Sequence, residues 1–326
     1  MSYSTGQTIA AADYNTFVTG TSTGTYTTAT PNVGVVWGTG NGRYGYGQPV
    51  TGIAPVAVSS TVTATQWTGL VQVTSAAAGH ENVAISPIPG SMTAGSTIAA
   101  NVNISTDVTT VFNSVGTAYS LSAGTANNTQ FTGAWGGSGN RRLVFTQVVN
   151  FASGDAARYF FNAGGLINLT FSRSGGSSTT RNTDWTNLCA NCGAIQFGYR
   201  NTVKSGGGGA TPSIILNTNN GGYWNQTYNT VKTNFKQFDN ASPYTTDYIQ
   251  VDVTTSGTQG SNGDLGPTVT FTTYWVNTYS NSFQQTVDGT ATTALTIYTP
   301  GNAYFTTSNP WGTVTFNSGA SGVVSN

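Results

Sequence analysis

Charge is what this 326-residue chain most lacks. Lys, Arg, Asp and Glu make up 6% of it, against about 25% in an ordinary soluble domain. Ten basic residues balance ten acidic ones, so the net charge is zero. That excludes the basic footprint that nucleic-acid binding needs. It also removes much of the charge that keeps a lone folded surface from associating. The chain holds one histidine, His80, and one glutamate, Glu81. Its two cysteines, Cys189 and Cys192, sit in the run LCANCG. A structural zinc site takes four ligands, and there is no second cysteine pair to complete one. A redox CxxC is expected beside a βαβ pattern, which is missing too. Two free or partly buried thiols are therefore expected, with a local disulfide as the alternative; no cofactor and no metal is predicted. No apolar run approaches the roughly 20 residues of a membrane helix. The segment from Met1 to Asn15 lacks a basic stretch followed by an apolar one, so synthesis in a cytosol without standard export is expected.

What fills the chain instead is Thr, Ser, Asn and Gly, with 12% aromatic residues. Thr, Val, Tyr and Phe favour strands, and Gly and Asn favour the turns between them. From about Leu121 onward apolar residues alternate with polar ones. Leu143, Phe145 and Val149 do so, as do Ile167, Leu169 and Phe171, then Ile195, Phe197 and Tyr199, then Ile249, Val251 and Val253. Shorter runs follow at Val269 and Phe271, Leu295 and Ile297, and Val314 and Phe316. Period-two alternation means one buried face and one wet face. Clusters such as KSGGGGA and NTNNGG punctuate the runs as turns. The expected fold is mainly β, an antiparallel, jelly-roll-like β-sandwich over residues 116–326. A smaller N-terminal region, 1–115, carries short helices. Two helical inserts are predicted inside the sandwich, Asp155 to Asn162 behind Ser153 and Asp184 to Cys189 behind Thr183.

The N-terminal region contains an internal repeat. TIAAADYNTFVTGTS from Thr8 aligns with TVTATQWTGLVQVTS from Thr61, and a weaker copy, GSTIAANVN, begins at Gly95. In each copy a Thr precedes a helix-like stretch that its hydroxyl can cap. Tyr14, Phe17 and Val18 fall at i, i+3 and i+4, and Trp67, Leu70 and Val71 repeat that face. Tyr14, Phe17, Trp67 and Leu70 are thus candidate assembly anchors, or the core of a small helical domain. Between the copies, VVWGTGNGRYGYGQPV reads as a connector that bends; it lacks the Gly-Lys-Ser/Thr ending of a phosphate loop.

Catalytic constellations are sparse. His80 and Glu81 are neighbours in GHEN and so do not face one another, and no nucleophile-elbow sequence accompanies them. A glycosidase needs two carboxyls about 5–9.5 Å apart. Only Asp239, Asp247 and Asp252 offer that, and turn or surface aspartates are the ordinary explanation. No catalytic residue is assigned. The aromatic surplus, 16 Tyr, 15 Phe and 7 Trp, suits contact surfaces. Trp135, Tyr223, Trp224 and Trp311 lie in turn-rich contexts and are the surface-binding candidates.

Several segments together resemble virion structural proteins of tailed phages, of the cyanophage and marine-phage type labelled tail fibre or structural protein. They are GQTIAAADYN, VVWGTGNGRYGYGQ, TVTATQWTGLV, ARYFFNAGGLINLTFSRSGG, DWTNLCANCGAIQFGY and YTTDYIQVDV. The resemblance implies a non-enzymatic virion part in a tail, neck or fibre position, assembled in the host cytoplasm. Its implied partners are further copies of itself, with a trimer favoured by analogy with phage fibres, other tail or neck proteins, and a host surface glycan. Neither nucleic acid nor membrane insertion is expected. A tail-associated polysaccharide depolymerase, a capsid or tail decoration protein and a cellular adhesin are the alternatives.

Overall fold

The computed structural model describes residues 9–87, 103–137, 142–256, 262–278, 286–317 and 319–324. Two antiparallel sheets pack face to face, as the alternation predicts. The first runs β1-β11-β4-β5-β6, with β2 also on β11; the second runs β12-β3-β10-β9-β8-β7, with β13 also on β3. The strands are β1 Leu121–Ala123, β2 Asn127–Thr132, β3 Arg142–Asn150, β4 Leu166–Ser174, β5 Ala194–Phe197, β6 Thr202–Ser205 and β7 Ile214–Ile215. They continue with β8 Lys232–Phe238, β9 Tyr248–Ser256, β10 Thr268–Val276, β11 Thr290–Pro300, β12 Thr315–Phe316 and β13 Ala320–Val324. The chain alternates between sheets through β2, β3 and β4 and again from β10 to β11, a jelly-roll-like interleaving. Its middle runs as two meanders, β4-β5-β6 and β7-β8-β9-β10.

The sandwich core follows the period of two. Along β3, Leu143, Phe145, Gln147 and Val149 are buried while their neighbours are half-buried. The register sets Leu295 of β11 against Leu169 of β4, and Trp275 of β10 against Leu143 of β3 and Ile249 of β9. Phe197 of β5 meets Phe271 of β10 edge-on across the interior, ring centroids 5.4 Å apart.

Among the described residues six α-helices accompany the sheets: α1 Ala11–Thr19, α2 Val33–Trp37, α3 Ala64–Glu81, α4 Ile104–Ser114, α5 Gly154–Asn162 and α6 Thr180–Cys192. Ser153 caps α5 by accepting from the Ala156 N–H, as predicted. Helix α6 starts earlier than expected, because Thr179 rather than Thr183 supplies the cap. Helix α3 has a full capping box, Thr63 with Gln66, but at α1 the N-cap position is Ala10, with no side-chain cap. The Thr cap therefore holds in only one of the two described copies. Most of the third copy, 95–102, lies outside the described residues.

The helical region is joined to the sandwich by a shared core. One small cluster belongs to it alone, including Tyr14, Phe17, Ile53, Trp67, Leu70 and Val108. Trp37, Tyr46, Ala77, Ala78 and Phe112, however, belong to the same buried cluster as the sheets. The glycine-rich stretch between them is locked rather than bending. Gly45 sits at φ +107, and a Cβ there would collide with the Thr39 carbonyl. Asn162 donates to the Gly45 carbonyl at 3.1 Å, Tyr199 donates to the Arg43 carbonyl at 2.7 Å, and Arg158 donates to that of Tyr44.

Candidate functional site

The four candidate anchors do not face outward. Tyr14, Phe17, Trp67 and Leu70 are all buried inside the chain. Phe17 and Trp67 meet edge-on at 6.3 Å, so the repeated faces are partners of each other. An i, i+3, i+4 stripe shows that a face is covered, not by what, and here the cover is intramolecular. As exposed docking anchors these residues are corrected.

Of the surface-binding candidates, Trp135 and Tyr223 are corrected in the same way, Trp224 is only half-buried, and Trp311, though buried, lines the groove described below. Trp135 is buried against Trp185 at 4.7 Å, and Trp185 stacks on Trp275. Tyr223 is buried and stacked on Phe161 at 4.3 Å. Trp224 is half-buried, its indole donating to Asn162 Oδ1 at 2.8 Å. Trp311 packs edge-on against Phe160 and Phe305. Turn-rich context brought these rings near the ends of the sandwich, but their size drew them into the core.

The residues that carry chemistry are consumed by structure. His80 is fully buried near the end of α3, its Nε2 3.0 Å from the Ala163 carbonyl. Because a carbonyl only accepts, Nε2 carries the proton and the ring is neutral; burial lowers its pKa to about 4. Glu81 beside it is also buried, and Tyr46 donates to its Oε1. Burial raises the Glu81 carboxyl well above its ordinary range, against a smaller lowering by Tyr46. Burial thus favours the uncharged form of both groups, and the cluster pins the end of α3 to the connector and to the end of α5.

The aspartates cap turns. Asp247 lies in the turn one residue before β9. It accepts from the Thr278 N–H at 2.8 Å and forms a buried ion pair with Arg181 at 2.6 Å. Arg181 also lies over the Tyr244 ring, 4.1 Å from its centre. Asp239 accepts from the Ala241 N–H at 2.9 Å. Asp252 does point away from Ile249 and Val251, and accepts from Thr233 at 2.7 Å and Gln250 at 2.8 Å. Burial raises the carboxyl pKa of Asp184 and Asp239. The two cysteines are free and buried in the last turn of α6, and burial pushes both thiols up. Among the described residues no group of three or more His, Cys, Asp or Glu could hold a metal ion. None of the helices there is long and apolar enough to cross a membrane.

An open groove lies at the edge of the sandwich. At one edge of the sandwich β2 and β13 meet, Ser321 donating to the Gln130 carbonyl at 2.6 Å. Further along that edge β1 and β12 stand apart, leaving a groove of about 600 Å³. Ser122 and Thr125 line one side and Thr313 and Phe316 the other; Ile297 and Trp311 also line it, and Asn302 and Asn309 complete it.

No protein-family model, curated protein or solved structure matches this chain. The likeness to phage structural proteins thus rests on the sequence segments alone. Of the groove's lining only Trp311 stood out in the sequence, since the rest is strand-end and turn residues in 122–125 and 297–316 that only strand pairing brings together.

Proposed function

We propose that the chain is a non-enzymatic structural component of a tailed-phage virion, in a tail, neck or fibre position, acting as one of several identical copies. The observation that carries this is where the scarce charge has gone. Glu81, Asp107, Asp184, Asp239, Asp247, Asp252 and Asp264, seven of the ten acidic residues, are buried. None of the other three is exposed, and among the described basic residues only Arg43 is. The fully exposed positions are thus mostly uncharged residues such as threonine, serine and asparagine, while Arg142, Arg173, Arg200, Lys204, Lys232 and Lys236 are half-buried. Such a surface does little to keep monomers apart and allows copies to pack without desolvating ions. The buried charges serve turns and helix ends, which favours a framework role over a reaction centre. A depolymerase built on Asp247 and Asp252 is disfavoured, because Arg181 and the Thr278 backbone hold the first and Thr233 and Gln250 the second. The test is a reconstruction of the phage particle. This chain should account for density in the tail or neck in a symmetric set of copies; its absence from purified particles would overturn the reading.

A further inference from the structure

We infer that the groove between β1 and β12 is a binding site for an uncharged oligosaccharide. Its 14 lining residues include no Lys, Arg, Asp, Glu or His, which disfavours phosphate, sulfate, uronate and peptide-terminus ligands. What lines it instead is a set of hydroxyl and amide groups. Ser122, Thr125, Asn302, Asn309 and Thr313 are exposed, and their side chains make no hydrogen bond to the rest of the described chain. They can both donate and accept, as neighbouring sugar hydroxyls require. Ile297, Phe316 and Trp311 supply the apolar lining. Trp311 is buried, and its indole N–H has no acceptor among the described residues. Just beyond Asn302, Tyr304 is 44% exposed and stands edge-on to Tyr119 at 5.1 Å. It offers an apolar ring with a polar tip to a chain leaving the groove. An extended peptide is the poorer occupant, since β1 presents only three residues of edge.

The experiment uses saturation-transfer NMR and calorimetry on the full chain, with uncharged oligosaccharides of glucose, mannose, galactose and N-acetylglucosamine, and oligogalacturonate as the charged control. At least one uncharged sugar should receive saturation and bind. The paired substitution Asn302→Ala with Thr313→Ala should weaken it by about tenfold or more, with the melting temperature unchanged because neither side chain is bonded within the described chain. Tyr304→Ala should weaken it independently. Failure of every uncharged sugar to bind, undiminished binding by the variants, or tighter binding of oligogalacturonate would each overturn the inference. Because binding is read on the isolated chain, such a failure leaves the virion assignment standing, and the converse holds as well.

Discussion

At the residue scale, two buried titratable groups make opposite demands on pH. His80 has its pKa depressed from 6.5 to about 4, so its contribution is fully present above pH 6.5 and is lost as pH falls toward 4. Glu81 has its pKa raised from 4.5, so the folded state keeps a proton that the unfolded state releases. Its contribution is complete below pH 4.5 and is lost as pH rises toward the folded value. Each slope is about 1.4 kcal/mol per pH unit. Above pH 4.5 the two slopes oppose each other, and the His80 contribution no longer changes above pH 6.5. Glu81→Gln should therefore gain stability relative to the native protein as pH rises from 5 to 8, measured by urea unfolding at each pH. A difference independent of pH would show that Glu81 is not held protonated.

Arg181 gives a second test at this scale. It is buried with Asp247, and removing one member of a buried pair leaves the other charge without compensation. Arg181→Met should cost about 3–5 kcal/mol in urea unfolding, and adding Asp247→Asn should restore much of the loss. If the double variant is as unstable as the single one, the lost packing over Tyr244 rather than the charge is the cause.

At the element scale, what was legible followed from local periodicity. The strands around Phe145, Leu169, Phe197, Val251 and Phe271 were readable because one face alternates into the core. Helix α5 was readable from Ser153 and the run behind it. Strand β13 was not, because ASGVV has no alternation and is held by pairing with β3. The repeat was visible, yet its meaning was not: nothing local distinguishes a stripe covered by another protein from one covered by its own duplicate. The groove was illegible for the same reason, since its sides are distant in sequence. The shared core carries a consequence for truncation. Removing residues 1–115 would strip Trp37, Tyr46, Ala77, Ala78 and Phe112 from the cluster that includes Phe145 and Phe161. The 116–326 fragment should therefore lose cooperative unfolding or aggregate, as followed by circular dichroism and calorimetry. A fragment melting as sharply as the full chain would mean that the sandwich is independent.

At the scale of the whole molecule, the chain buries most of its acidic side chains and leaves only Arg43 fully exposed among its described charged residues. That arrangement is suited to a subunit whose surface is covered by neighbours, since ion pairs need not be desolvated on contact. Closed symmetry would bury the same patch on every copy. The anchors of that contact are not Tyr14, Phe17, Trp67 or Leu70, which are spent inside the chain; exposed apolar groups such as Val58, Tyr228 and Val231 are the ones left to supply it. Sedimentation equilibrium of the purified full-length protein at micromolar concentration tests this most directly. The account predicts a discrete homo-oligomer, with a trimer favoured, whose mass is insensitive to salt because few charges take part. A stable monomer of 33.7 kDa under the same conditions would contradict it.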